Sequence, residues 1–168
     1  SAMGPELNPP AFEKGREVPF HLRELLTSMS LEPIVKTSGK TGLHIFVPIR
    51  RTLGFGQARQ VCELVGRHLM RAHPKDITME WSVPKRTGKI FLDYNMNARG
   101  KTLNVAYSPR GAAGAPVSMP LSWEELSKAH PLDFRIANVA ERLAGTGDRW
   151  RDALKHKQSL EAVLNRAT

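Results

Sequence analysis

The residues whose types could do chemistry are concentrated in two acid-poor stretches. From Pro33 to Cys62 there is no Asp or Glu, yet Lys36, Lys40, Arg50, Arg51 and Arg59 are present. From Trp81 to Trp123, Lys85, Arg86, Lys89, Arg99, Lys101 and Arg110 accompany a single carboxylate, Asp93. Five plus six makes eleven of the 25 basic residues, against one of the 16 acids. A surface serving only solubility intersperses the two signs, so a one-sign field on strand ends and loops points to phosphate binding, with Arg50, Arg51, Arg99 and Lys101 as candidate DNA contacts.

Three features in these stretches admit a chemical reading beside a plain one. Asp93 lies in the strand-like run Ile90-Phe91-Leu92-Asp93-Tyr94-Asn95; it is either a structural salt-bridge partner of Arg86 or Lys89, or a divalent-metal ligand. Thr37-Ser38-Gly39-Lys40-Thr41-Gly42 contains Gly-Lys-Thr but is no Walker A loop, because the Gly required five residues before Gly39 is Ile34 and a strand follows. It is either a bare turn or a turn whose amides, with Ser38, Gly39 and Lys40, cradle phosphate. His44 is either a hydrogen-bonded structural histidine or a catalytic one. Trp81, Trp123 and Trp150 read as core anchors rather than stacking platforms. No nucleophile elbow, His-x-x-x-His pair or cysteine ligand set is present.

Composition narrows the class. With 168 residues, 40% hydrophobic and 24% charged, the chain can build one ordinary core. No apolar run approaches the roughly 18 residues of a membrane span, so no membrane association is expected. The lone Cys62 suits a reducing, cytoplasmic setting. Net charge +9 and a pI near 10.1 favour nucleic acid as polyanionic partner over a membrane surface.

The elements that must position these groups follow from periodicity. Val18, Leu22, Leu25, Leu26 and Met29 share one face of a helix with Pro19 in its first turn. Leu31 to Lys36 and Leu43 to Ile49 form a hairpin in which His44 and Phe46 point away from Leu43, Ile45 and Val47. Gln57 to Ala72 is a helix with Val61, Leu64, Val65, Leu69 and Met70 inward. Ile77 to Trp81, Lys89 to Asn95 and Thr102 to Ser108 read as strands of one sheet, with both helices on one face. Gly111 to Pro120 is an apolar-poor loop. Ser122 and Glu125 form a capping box, a helix spans about Ala137 to Leu143, and Asp148 caps a last helix. The fold class is α+β: a mixed or antiparallel sheet with helices packed on it.

Several longer motifs then become recognisable. Lys36 to Pro48, Phe91-Leu92-Asp93-Tyr94, Asn97 to Thr102, Ala106 to Arg110, Pro116 to Trp123 and Asn138 to Leu143 closely resemble the polymerase domain of bacterial DNA ligase D, in the archaeo-eukaryotic primase superfamily. The resemblance implies a primase-like catalytic core that adds nucleotides to a primer 3′ end in non-homologous end joining, with Mg²⁺ or Mn²⁺ as cofactor. It implies that Asp93 matches the family's third metal-binding Asp, that Ser38 and His44 contact the phosphates of a nucleoside triphosphate, and that Arg86 and Arg110 belong to the nucleotide site. Lys40 is a weaker match, because some relatives carry the lysine at the position of Thr41.

The departures from the family pattern are specific. Its first motif, Asp-x-Asp before Pro, is replaced by Glu6-Leu7-Asn8, so Glu6 and Asn8 are the remaining metal candidates, and Asn8 supplies no charge. Met96 replaces a usual glutamine. Residues 1–7 read as a tag scar plus a remnant of that motif, and 8–168 as a single domain corresponding to the C-terminal half of the family domain. The expected partners are DNA ends, nucleoside triphosphates, and a ligase domain or a chain supplying the N-terminal half; the expected location is the bacterial or archaeal cytoplasm at the nucleoid. The alternative is a non-catalytic nucleic-acid or nucleotide-binding relative with a decayed metal site.

Overall fold

The computed structural model describes residues 9–130 and 133–164. Glu6 and Asn8, and with them the remnant of the first acidic motif, lie outside the described residues. The described residues divide into two compact units: a helical unit of residues 9–30, 49–103 and 159–164, and a sheet unit of Leu31–Pro48 and Asn104–Gln158.

The helical unit holds α1 (Pro9–Ser28), α2 (Phe55–Ala72), β3 (Ile77–Thr78), β4 (Ile90–Phe91) and the short α5 (Glu161–Leu164), with a 3₁₀ turn at Val83–Arg86. Its core is Val18, Leu69 and Ile77, against which Leu22, Leu25, Met70, Ile90 and Leu92 pack, so the expected stripe on α1 is the one buried. The helix starts earlier than expected. Pro19 therefore sits in its interior, where it leaves the Gly15 carbonyl without the usual i−4 donor. On α2 the inner line runs through Val61, Gly66 and Leu69, and Leu64 is exposed, contrary to expectation. The cause is Gly66: a Cβ there would stand 3.0 Å from Leu92 and 3.1 Å from Met79, so this face is pressed close, and Leu64, two residues or about 200° away, points outward.

The expected strands in this unit are cut short, and β3 and β4 form a separate parallel pair rather than part of one sheet. Side chains end them by capturing backbone groups. Thr78 Oγ1 accepts from Glu80 N at 3.1 Å, and the Arg86 guanidinium donates to the Glu80 and Trp81 carbonyls at 2.8 and 2.6 Å. Trp81 is not a core anchor: it is 62% exposed, with one edge against Phe91.

The sheet unit is built on β1 (Ile34–Thr37), flanked antiparallel by β2 (Leu43–Phe46) and by β5 (Pro120–Leu121), followed by α3 (Trp123–Lys128) and α4 (Ile136–Thr146). Pro120 is tolerable because β5 is an edge strand. The stretch expected to be an apolar-poor loop ends in the deepest residues of the unit, Val117, Ser118 and Met119. Thr102 to Ser108 is not a strand. Instead Tyr107, at φ +65°, donates its N–H to Ser118 O, and Ser118 N donates to Ser108 O, an irregular pairing displaced toward the Pro109–Val117 bridge. Tyr107 is held there by its hydroxyl, which donates to Asp148 Oδ1 at 2.6 Å. Asp148 also accepts from Trp150 N at 2.8 Å, closing a turn rather than capping the expected helix. Helix α4 runs past Gly145 and stops at Gly147, whose φ of +68° reverses the chain.

The α+β class, the β1–β2 hairpin and the capping box on α3 agree with expectation. Ser122 Oγ accepts from Glu125 N at 3.1 Å, Glu125 Oε2 accepts from Ser122 N at 2.8 Å, and Glu125 Oε1 is bridged by Arg142 and Arg149. Ser122→Ala should therefore lower unfolding stability by about 1 kcal/mol, read as a shifted urea midpoint at unchanged slope. An unshifted midpoint would show that the box is not stabilising.

Candidate nucleotide site and nucleic-acid interface

The β1–β2 ladder places Lys36 directly opposite His44, so both side chains share one face of the sheet. Lys36 is 1% exposed. Its ammonium donates to Ser118 Oγ, and that hydroxyl donates onward to Thr37 O at 2.9 Å. Thr37 Oγ1 in turn donates to Val117 O and accepts from Met119 N, locking the strand to the buried 117–119 segment.

The turn between the strands is shaped by Gly39 at φ +74°. A Cβ there would stand 2.5 Å from Arg110 Cγ and 3.1 Å from Ser118 N, so Arg110 lies directly against the turn and only glycine fits. The amides of Lys40 and Gly42 both donate to Ser38 Oγ at 3.1 Å. Those two N–H groups converge on the hydroxyl instead of on an outside anion, which leaves the Ser38 O–H free to donate.

These placements create a cluster of positive charge. Burial and the neighbouring Arg110 lower the Lys36 pKa to about 8. Burial first, then Lys36 and Arg110, lower that of His44 to about 4, so its imidazole is neutral at physiological pH. No carboxylate among the described residues contributes to either shift. His44 Nδ1 is buried without a hydrogen-bond partner among the described residues, and the ring edge packs on Phe46, which meets Trp150. A cluster of this kind suits an anion: an exposed Lys40 at the turn, a half-buried Arg110 against Gly39, and a neutral imidazole that can form one directed hydrogen bond.

The sheet unit thus brings together Ser38, Gly39, Lys40, His44 and Arg110. Arg86 belongs to the helical unit, where two carbonyls and the face of Phe91, 3.6 Å from the guanidinium carbon, hold it in place. Asp93, in the same unit, is exposed and lies just beyond β4 rather than inside a strand. Its Oδ1 accepts from Asn95 N at 2.8 Å, and Arg86 is committed elsewhere, so the Arg86–Asp93 salt bridge is not formed. Asn95 Oδ1 holds Arg59, whose guanidinium lies over Tyr94. Arg50, Arg51, Arg99 and Lys101 are all exposed on the helical unit. Lys36 is the residue that sequence reasoning missed as a site member. The available signal was a lysine at an interior position of a short strand, between Val35 and Thr37. Cys62 is no rival nucleophile, since burial raises its thiol pKa.

The LigD primase-polymerase domain profile matches residues 5–150. The multifunctional non-homologous end joining protein LigD of Pseudomonas aeruginosa is 34% identical over 146 residues, which cover 84% of this chain and 17% of that protein. The bifunctional LigD of Bacillus subtilis is 30% identical over 167 residues, 95% of this chain and 27% of that protein. Among solved structures, the polymerase domain of Mycobacterium tuberculosis ligase D in complex with DNA superposes with a TM-score of 0.79 at 28% identity, covering 88% of this chain and 51% of that one. The α+β fold is therefore that of a primase-like polymerase domain, and the chain belongs to the LigD primase-polymerase family. It spans only a minor part of these curated relatives and about half of the solved domain.

The neutral His44 carries a stability consequence. Its folded pKa, about 4, lies below the unfolded value of 6.5, so the unfolded chain takes up more protons between these limits. The His44 contribution to stability is fully present above pH 6.5 and is lost as pH drops toward 4. His44→Gln should lose stability less steeply over that window than the unaltered chain in urea titrations at stepped pH; equal slopes would contradict a depressed imidazole.

Proposed function

We propose that this chain binds the triphosphate of a nucleotide at the Ser38–Gly42 turn, His44 and Arg110, and binds DNA ends through Arg50, Arg51, Arg99 and Lys101, to serve nucleotide addition at primer ends in non-homologous end joining. The observation that carries this reading is the cluster of Lys36, His44 and Arg110 around a glycine turn, with no carboxylate acting on it. A phosphate chain is the ligand that such a site lacks. The names of the relatives and the DNA bound in the solved polymerase domain support the rest. Arg110 and Lys40 supply charge, Ser38 O–H and His44 supply directed hydrogen bonds, and together they orient the pyrophosphate end of the nucleotide for in-line displacement.

Metal dependence stands on fewer residues. The described residues contain no group of three or more His, Cys, Asp or Glu able to hold an ion, and Asp93 alone does not complete a site. The Mg²⁺ or Mn²⁺ reading therefore rests on Asp93 joined by Glu6 and Asn8. A ligase domain, or a chain supplying the rest of the polymerase domain, is the protein partner in this reading. The bacterial cytoplasm at the nucleoid is the place; among the described residues no helix is long and apolar enough to cross a membrane.

Calorimetry with a nucleoside triphosphate should show binding that Arg110→Ala weakens at least roughly tenfold, the loss of one charge-assisted contact. Binding to a recessed-end duplex should fall with salt at a log-log slope of roughly 0.9 per phosphate contact, and Arg99→Ala with Lys101→Ala should reduce that slope. In Mn²⁺, primer extension by this chain should be slow, and Glu6→Asp with Asn8→Asp should raise metal affinity. Triphosphate affinity unaffected at Arg110 would refute the nucleotide site; binding without extension by any variant would favour the non-catalytic relative.

A further inference from the structure

We propose that Lys36 is a positioning residue of the phosphate site: its buried ammonium, anchored on Ser118 Oγ and facing His44 across the β1–β2 ladder, keeps the imidazole a neutral hydrogen-bonding group, so that bound phosphate charge is met by Arg110 and Lys40. Lys36 itself is too deep to touch a ligand, being 1% exposed with its head group held by a hydroxyl that is itself fully buried. Its effect reaches the ligand through His44. In an antiparallel ladder directly opposed residues stand side by side, so Lys36 and His44 leave the sheet on one face, and the Lys36 charge acts on the imidazole.

The anchor makes this arrangement rigid. Ser118 Oγ donates to Thr37 O while accepting from Lys36, and Ser118 N pairs with Ser108 O, so the hydroxyl that holds the ammonium is itself held in place. From the other side Arg110 is pressed on Gly39. The charged groups acting on His44 are thus Lys36 from β1 and Arg110 from the segment before Gly111; Phe46 on β2 and, behind it, Trp150 offer only rings. Both cations disfavour a protonated imidazole, and burial adds to them. A ring kept neutral keeps one N–H donor and one acceptor nitrogen across the pH range in which a free histidine would change charge. Phosphate binding then loses its histidine-linked pH dependence.

The phosphate half of this inference rests on the function proposed above; the imidazole half does not, and two readouts separate them. The first is the His44 titration followed by NMR on the whole chain. Lys36→Met should raise the midpoint by about one pH unit or more, because one of two cations is gone, and Lys36→Arg, which keeps the charge, should hold it low. If Lys36→Met does not fold, Ser118→Ala, which only releases the anchor, should move the midpoint the same way. The second readout is affinity for inorganic tripolyphosphate, taken as the ratio of variant to unaltered chain so that the ligand's own titration cancels. From pH 7 to pH 5.5, a range in which Lys36 keeps its charge, this ratio should shift roughly three- to tenfold in favour of Lys36→Met, and Lys36→Met with His44→Gln should abolish the shift. An unchanged His44 midpoint in Lys36→Met, or in Ser118→Ala where that variant is needed, overturns the proposal. A raised midpoint with no tripolyphosphate binding by any chain supports the positioning effect and removes the nucleotide site instead.

Discussion

An ammonium buried at Lys36, with no carboxylate among the described residues acting on it, is the constraint around which the sheet unit is arranged. Removing such a charge from water costs several kcal/mol unless polar groups replace the lost hydration. Here the replacement comes from an uncharged source, Ser118 Oγ, and it requires the chain to bring residue 118 against residue 36. The two hydrogen bonds between Thr37 Oγ1 and the 117–119 backbone, the left-handed backbone at Tyr107 and the bare Cα of Gly39 all serve that approach. A salt bridge would satisfy the ammonium better but would cancel its field. Leaving it unpaired keeps the face positive, a state useful chiefly to a site that takes up an anion.

The two units divide the work by the kind of electrostatics they offer. In the sheet unit Lys36 is buried and Arg110 half-buried, so solvent ions screen them weakly and they act on a specific group, His44. On the helical unit Arg50, Arg51, Arg99 and Lys101 are exposed, as the DNA contact proposed for them requires. Asp93 stands apart from both patterns as an exposed acid whose Oδ1 shapes the turn to Asn95. Arg86, which resembles a nucleotide contact in sequence, binds the carbonyls just beyond β3 and covers Phe91.

Much of this was legible in the residues, and the exceptions have physical reasons. The hairpin around Ser38, the capping box at Ser122 and the inner stripe of α1 rest on local chemistry that the sequence displays directly. The family was legible too, because its motifs are long and ordered. What could not be read were long-range effects. Val117 to Met119 looks like loop because it is short and follows Gly and Pro, yet it is buried by pairing with a strand eighty residues away. Lys36 counts as one more surface cation until Ser118 is known to lie beside it. Leu64 fits a helical stripe, but the close approach at Gly66 sets the face. The run after Ile77 ends early because Thr78 and Arg86 capture its backbone groups, and on the run after Lys89 Asp93 captures Asn95 N, a competition that alternation does not reveal.

Backbone chemical-shift mapping with inorganic tripolyphosphate tests the central claim, that the unpaired cations of the sheet unit form a built phosphate site, most directly. The account predicts saturable changes concentrated at the amides of Lys36, Ser38 to Gly42, His44 and Arg110, persisting at salt concentrations that abolish binding by exposed charges. Changes spread over Arg50, Arg51, Arg99 and Lys101 and erased by moderate salt, with the Ser38–Gly42 turn unmoved, would contradict it.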